Sequence, residues 1–224
     1  MLDFLEGEEQ SLRQQHRAGY KPNFAEEKRL EKQGYRLIAG IDEVGRGPLA
    51  GPLVAAAVIL PLKTDISWLP LVRDSKQLTP ERRESLFPLI NEAAIGIGFG
   101  ILTPDAIDSR GMTMAVRKAM CSAVEHLPCP PDFLLIDHVR LPELDLPQKG
   151  ITKGDSLSLS IACASIVAKV TRDRMMVALD EVYPGYGFAR HKGYATREHL
   201  AKLRRLGACP IHRRCFAPVR ECLR

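Results

Sequence analysis

The sequence has no uninterrupted long apolar run, no C-x-x-C pair, no phosphate-loop or kinase signature, no sustained heptad and no internal repeat. Each absence removes a class. The longest apolar stretch, within residues 35–60, is broken by glycine and proline and is too short to cross a bilayer. The opening MLDFLEGEEQ is acidic and lacks the basic and apolar regions of a secretory signal, so a cytoplasmic location is expected. The six cysteines, Cys121, Cys129, Cys163, Cys209, Cys215 and Cys222, show no disulfide-framework spacing and are expected to be reduced thiols. Cys209, His212, Cys215 and Cys222 can be drawn as a zinc set, but the spacing fits no common pattern. Without heptads, a monomer is the expectation.

What is present is an ordinary globular composition in 224 residues, 45% hydrophobic and 26% charged. That length suits one α/β domain with a small appendage. The net charge of +5 is unevenly placed: residues 190–224 hold ten Lys/Arg against two Glu. A basic C-terminal face suits a polyanionic partner such as nucleic acid.

Residues 1–34 read as a charged leader with two helical segments, LEGEEQSLRQQHR and FAEEKRLEKQGY, the second stopped by Gly34. Residues 35–224 read as the main α/β domain. Strands are expected at 36–43, 52–60, 95–102 and 133–137, the second apolar on both faces and so central. Thr79 caps a helix running to about residue 94, with Pro80 at its first position and Glu81 in its first turn. A helical region is expected over 103–126, and a long helix from Ser156 or Ser158 to about 182. A last helix spans 197–206, closed by Gly207. The glycines of IGIGFGIL imply a neighbour packed close to that strand.

Four carboxylates follow apolar or glycine-bearing runs at strand ends or loop–helix junctions: Asp42, Glu43, Asp137 and Asp155. In open α/β sheets, sites form beyond the strand ends. Any one such acid could simply be a turn residue or cap. Four together would repel and hold their protons more tightly, an arrangement that hard divalent cations relieve. Mg2+ or Mn2+ is the expected cofactor, and two ions about 3.5–4 Å apart would suit phosphodiester hydrolysis. Asp42 and Glu43 face opposite sides of a regular strand, so both serve one site only if the strand ends or twists near Gly45. Gly45 and Gly47 allow close backbone approach to a ligand, and Arg46 adds a cation between them. Lys76, Ser165, Lys169 and Arg172 are further candidates for phosphate contacts. His191 and His199 are expected at the surface or facing phosphate.

The segments GIDEVGRGPLAGPLVAAAVIL, DSKQLTP, KGDSLSLSIACASIVAKVTRDR and HKGYAT, in this order, resemble the hallmark segments of ribonuclease HII, the bacterial type 2 ribonuclease H. The resemblance runs over about residues 35–218. It implies a ribonuclease H-like fold, a central mixed sheet flanked by helices. It implies cleavage of RNA in RNA–DNA hybrids and incision 5′ to single ribonucleotides embedded in duplex DNA. It places the metal-binding acids on Asp42, Glu43, Asp137 and Asp155, and 2′-hydroxyl sensing on Gly45, Arg46 and Gly47. It sets Tyr194 against the ribose at the RNA-to-DNA junction. One departure stands out: the third acid is followed by His138, where the family usually has glycine. Two other readings remain open, a DNA-cutting nuclease of the same fold and a non-catalytic nucleic-acid-binding module in which the acids act as caps.

Overall fold

The computed structural model describes residues 21–62 and 66–223. The first helix expected in the leader lies outside them. The strands are β1 (Ile38–Val44), β2 (Leu53–Ile59), β3 (Gly96–Leu102), β4 (Phe133–Asp137) and β5 (Gln148–Ile151). They form one sheet in the order β3-β2-β1-β4-β5. β1–β2 and β2–β3 are antiparallel, whereas β1–β4 and β4–β5 are parallel. The sheet is therefore mixed, and β1, β4 and β5 all deliver their C-terminal ends to the same side.

The helices are α1 (Ala25–Lys32), α2 (Pro80–Ala93), α3 (Pro104–Arg110), α4 (Met112–Glu125), α5 (Gly154–Leu157), α6 (Leu159–Val182), α7 (Phe188–His191), α8 (Arg197–Leu206) and α9 (Ala217–Glu221). No described helix is long and apolar enough to cross a membrane. Strand β2 shows why LVAAAVI carries no polar position. Leu53, Ala55, Ala57 and Ile59 face a core completed by Ile107, Ala119, Met120 and Ala123. Val54, Ala56 and Val58 face a second core with Leu86, Ile90, Ile166 and Val167. Both faces of the strand are covered by helices, so both must be apolar.

Small residues set the layer spacing. A Cβ on Gly98 or Gly100 would lie 2.1 or 1.8 Å from the carbonyl oxygens of Ala123 and Ala119, so β3 lies directly against α4. This is the close neighbour that the alternating glycines implied. On the other face, a Cβ on Gly40 would lie 2.1 Å from the Ser160 carbonyl carbon of α6.

Helix starts follow their caps: Thr79 Oγ1 accepts from the Arg82 amide, and Ser158 Oγ from that of Ile161. Of the two serines considered for the long helix, Ser158 is its cap, and the residues before it form α5. The 103–126 region is two helices rather than one, because Gly111 adopts φ +76° between α3 and α4. Strand β5 and helix α9 were not expected. QKGI has a single buried residue and no alternation, and its pairing with β4 is what makes it a strand. Helix α1 is joined to the sheet domain: buried Glu27 accepts hydrogen bonds from the Ser158 hydroxyl and the Ser160 amide at the start of α6.

Candidate active site

Parallel pairing of β1 with β4 matches Ile41 to Ile136, so Asp42 and Asp137 are the next residues on neighbouring strands. Asp137 in turn pairs with Ile151, the last residue of β5. The turn after β5 then brings Asp155 to the same edge: the Gly154 amide donates to Asp137 Oδ1 at 2.7 Å. Gly154 has little room for a side chain, since a Cβ there would meet Ile161 Cδ1 at 2.6 Å. Sequence spacing alone could not reveal this convergence, because the three acids arrive on two separate strands and a short helix.

β1 stays paired with β2 through Val44, so the strand does not end between the two acids. Even so, the charge of Asp137 acts on both carboxyls. Burial first, then the Glu43 and Asp137 charges, push Asp42 well above the usual carboxylate range. Burial also raises Glu43, opposed by the Arg46 guanidinium 3.5 Å away, and raises Asp137, opposed by the Gly154 amide. The acids thus share one electrostatic neighbourhood.

Lys76 answers part of that charge. Its ammonium lies 3.0 Å from Asp155 Oδ2 and 3.9 Å from Asp74 Oδ1. Burial works against the charged form, but Asp155 and Asp74 carry Lys76 above its ordinary value. Asp74 caps its own turn by accepting from the Lys76 amide, and its carboxyl is raised by burial and by Asp155. Ser165 of α6 favours the ionised Asp42 carboxyl and lies 2.8 Å from the Ser75 hydroxyl. Asp74 and Ser75 were not among the expected site residues; residues 74–80 precede the helix capped by Thr79, and their order shows nothing of their neighbours across the fold.

Among the described residues, no three His, Cys, Asp or Glu side chains are drawn together tightly enough to hold a metal ion as they stand. Burial is the largest cause of the raised values at Asp42, Glu43 and Asp137, and neighbouring carboxylate charges add to it; a cation held among them would relieve both. The donors are hard oxygens, which fits a divalent cation of the Mg2+ or Mn2+ type.

The Gly-Arg-Gly turn lies beside the acids, and its two glycines have different reasons to be glycine. Gly45 adopts φ +102°, and a Cβ there would meet Arg172 Nε at 2.5 Å. Gly47 faces open space, with only Tyr194 Cε1 at 4.0 Å from a Cβ position. Arg172 is therefore not an exposed phosphate contact. It is fully buried and donates to the carbonyls of Pro52, Lys192 and Ala50. Arg213, also buried, donates to the carbonyls of Arg46, Pro48, Gly51 and Pro52. Arg172 ties the 45–52 loop to the segment bearing Tyr194, and Arg213 ties the same loop to the segment after α8. Burial and the Arg172 charge lower Arg213 to about 9, which leaves it charged at neutral pH.

Tyr194 is 39% exposed. The Lys169 ammonium and the Arg172 guanidinium each lie 5.9 Å from its ring centroid. Lys169 also pairs with Asp173 at 2.7 Å.

His138 adopts φ +63°, the left-handed conformation that glycine enters without strain. The departure from the family pattern thus keeps the backbone shape that a glycine would give.

His191 and His199 are not at the surface. They are buried with His212, as are their ring contacts with Phe188. The drawn zinc set is not assembled: Cys209 Sγ lies 3.1 Å from His212 Nδ1, but Cys215 is exposed, its amide bound to Asp108. Burial, then the His199 charge, lowers His212 to about 4, and burial also lowers His199. Unfolded histidine titrates near ~6.5. Between about pH 6.5 and 4 the unfolded chain therefore binds more protons at these sites, and their contribution to stability falls as pH falls. The raised carboxyls have the opposite sign. Urea unfolding at pH 7 and pH 5 should accordingly show a smaller pH-dependent loss in His212→Gln than in the unaltered protein, because the carboxylate effect is common to both. Equal losses would contradict it.

The ribonuclease HII family model matches residues 39–219. The chain belongs to the ribonuclease HII family. A ribonuclease HII of Dehalococcoides mccartyi is 55% identical over 200 residues, covering 89% of this chain and 95% of that protein. The crystal structure of ribonuclease H2 from Pyrococcus horikoshii superposes with a TM-score of 0.69 at 29% identity, covering 83% of this chain and 96% of that one. The Bst ribonuclease HIII, solved in complex with Mn2+, shares the fold with a TM-score of 0.67 at 20% identity, covering 84% and 70%. The enzyme is thus an endoribonuclease that acts on RNA paired with DNA.

Proposed function

We propose that the enzyme hydrolyses the phosphodiester on the 5′ side of a ribonucleotide, both within hybrids and at a single ribonucleotide embedded in duplex DNA, leaving 5′-phosphate and 3′-hydroxyl ends. The observation that carries this reading is the convergence of Asp42 on β1, Asp137 at the end of β4 and Asp155 after the turn that follows β5, with Glu43 in the same electrostatic neighbourhood. Asp42, Glu43, Asp137 and Asp155 would hold divalent cations, Mg2+ or Mn2+; the Mn2+ in the Bst ribonuclease HIII supports that choice. Two such ions, when bound, supply an activated water and positive charge at the leaving oxygen.

The chain's own groups define the substrate. The open face of Gly47 lets backbone groups meet a 2′-hydroxyl, the group that separates RNA from DNA. The Tyr194 ring forms the adjoining wall, a flat apolar face carrying a hydroxyl. Lys76 stays protonated beside Asp155 and can turn to a phosphate oxygen. Arg46, with its side chain 52% exposed, and Lys169 add positive charge along the strand. Ser165 holds the Asp42 carboxylate in place.

The test is a duplex carrying one ribonucleotide, incubated with and without Mg2+ or Mn2+, with the cut mapped. Cleavage 5′ to the ribonucleotide, abolished by chelator and absent on all-DNA duplex, is expected. A 2′,3′-cyclic phosphate product would rule the mechanism out. Cutting of all-DNA duplex would favour a DNA nuclease, and cation-independent binding without turnover a binding module. Tyr194→Phe should slow cleavage at the single ribonucleotide; an unchanged rate would remove the tyrosine hydroxyl from the reading.

A further inference from the structure

His191, His199 and His212 lie within 22 residues of sequence and meet in one buried cluster, although the reaction has no use for them as acids or bases. The shorter of their hydrogen bonds favour one set of protons; His212 Nδ1 also lies 3.3 Å from the Cys209 carbonyl, farther than from the Cys209 amide at 3.0 Å. The Cys209 amide points at His212 Nδ1 at 3.0 Å, so that nitrogen accepts and the ring proton sits on Nε2. His212 Nε2 lies 3.1 Å from His199 Nε2, which must then be the acceptor. His199 is left with its proton on Nδ1, 2.9 Å from the Tyr194 carbonyl. The reverse assignment would set a second hydrogen against the Cys209 amide and a ring lone pair against the Tyr194 oxygen. His191 is fixed separately: the Gly193 amide donates to its Nδ1 and its Nε2 reaches the Tyr186 carbonyl. Its ring stacks on His199 at 4.3 Å between centroids.

We propose that His199 and His212 are positioning residues: a one-way chain of hydrogen bonds, from the Cys209 amide through two neutral imidazoles to the Tyr194 carbonyl, fixes where the Tyr194 ring stands over Gly47. The proposal rests on the reading of Tyr194 as a wall of the substrate site. The same segment is anchored on its other side, where the Leu49 amide donates to the Gly193 carbonyl. A Cβ on Gly193 would lie 2.3 Å from the Ala50 carbonyl oxygen, so the backbone there has little freedom to find a second position. The lowered values of His199 and His212 agree with rings that stay neutral at physiological pH.

Two measurements test it. In the unaltered enzyme, nitrogen-15 NMR of the histidine rings at neutral pH should find the proton on Nδ1 of His199 and on Nε2 of His212. The opposite tautomer at either ring, or a charged ring, overturns the proposal even where variants fail to fold. In kinetics, His199→Ala should lose roughly 10- to 100-fold in kcat/KM at a single embedded ribonucleotide, the scale of a small misplacement. Cleavage inside a long hybrid should fall less. His199→Asn, whose amide nitrogen can reach the position of Nδ1, should recover most of the loss. Equal losses on both substrates with no recovery by Asn would mean a merely structural role and overturn the proposal. Tyr194→Ala separates the two ideas. If it cuts the single-ribonucleotide duplex as well as the unaltered enzyme, the reading of Tyr194 fails; if it is impaired while His199→Ala is not, only the positioning chain fails.

Discussion

Asp42→Asn should reduce cleavage by roughly three orders of magnitude or more, the scale of removing one member of a catalytic set that acts as a unit. The same change should raise the melting temperature of the metal-free protein. Asp42 is buried, at 4% exposure, and its carboxyl is pushed up by burial and by the Glu43 and Asp137 charges. The ionised form therefore costs the folded state free energy at neutral pH. An amide removes that charge yet keeps an oxygen to accept from the Glu43 amide, which now donates to Asp42 Oδ1 at 2.7 Å. A gain of about 1 kcal/mol would appear as a rise of ~2–4 °C in a domain of this size. Divalent cation should raise the melting temperature of the unaltered enzyme by mass action and that of the variant less. Calorimetry and a cleavage assay on the same preparation check both halves. A folded Asp42→Asn variant that cuts at the normal rate would remove Asp42 from the chemistry. One with normal melting would show that the buried charge is already compensated.

Gly40→Ala should damage stability and site together. The added Cβ would stand 2.1 Å from the Ser160 carbonyl carbon and 2.3 Å from the Ile161 nitrogen, both backbone atoms that no rotamer change can move aside. β1 and α6 would have to part, at a cost of about 3 kcal/mol or more, above the usual ~1–3 for overpacking because backbone meets backbone. Those two elements carry Asp42 and Ser165, and Ser165 favours the ionised Asp42 carboxyl. We expect a melting temperature lower by roughly 10 °C and a kcat reduced beyond what the unfolded fraction explains. Gly98→Ala is the control: its Cβ would strike the Ala123 carbonyl at 2.1 Å on the opposite face of the sheet, so it should destabilise while sparing the turnover of molecules that remain folded. A Gly40→Ala protein that melts normally would mean that the layers can separate freely.

The contrast between these two residues shows what could be read from the chain. Asp42 stood out because a carboxylate closing an apolar run is costly unless something is done with it. Gly40 gave no such signal, since its reason is a helix about 120 residues later. Strands β1 to β4 and the caps Thr79, Ser158 and Gly207 were legible because they depend on local periodicity and local hydrogen bonds. β5 was not, because its strand character comes from its neighbour. Arg172 and Lys169 looked alike in sequence, as cations three residues apart on one helix. Only packing made the first a buried tie between loops and left the second beside Tyr194. His191 and His199 looked like surface groups because polarity alone assigns them there, and a buried cluster of three rings, each supplied with hydrogen-bond partners, is the circumstance that reverses it.

By itself, then, the sequence determined the α/β class and the family, and it marked the four acids and the Gly-Arg-Gly turn as candidates. These are properties of residue type, order and short spacing. The tertiary structure decided which charges meet, which glycines serve packing rather than substrate, and which cations are buried. Those outcomes depend on distances between residues far apart in the chain, set by strand register and by how closely backbones approach across the two cores.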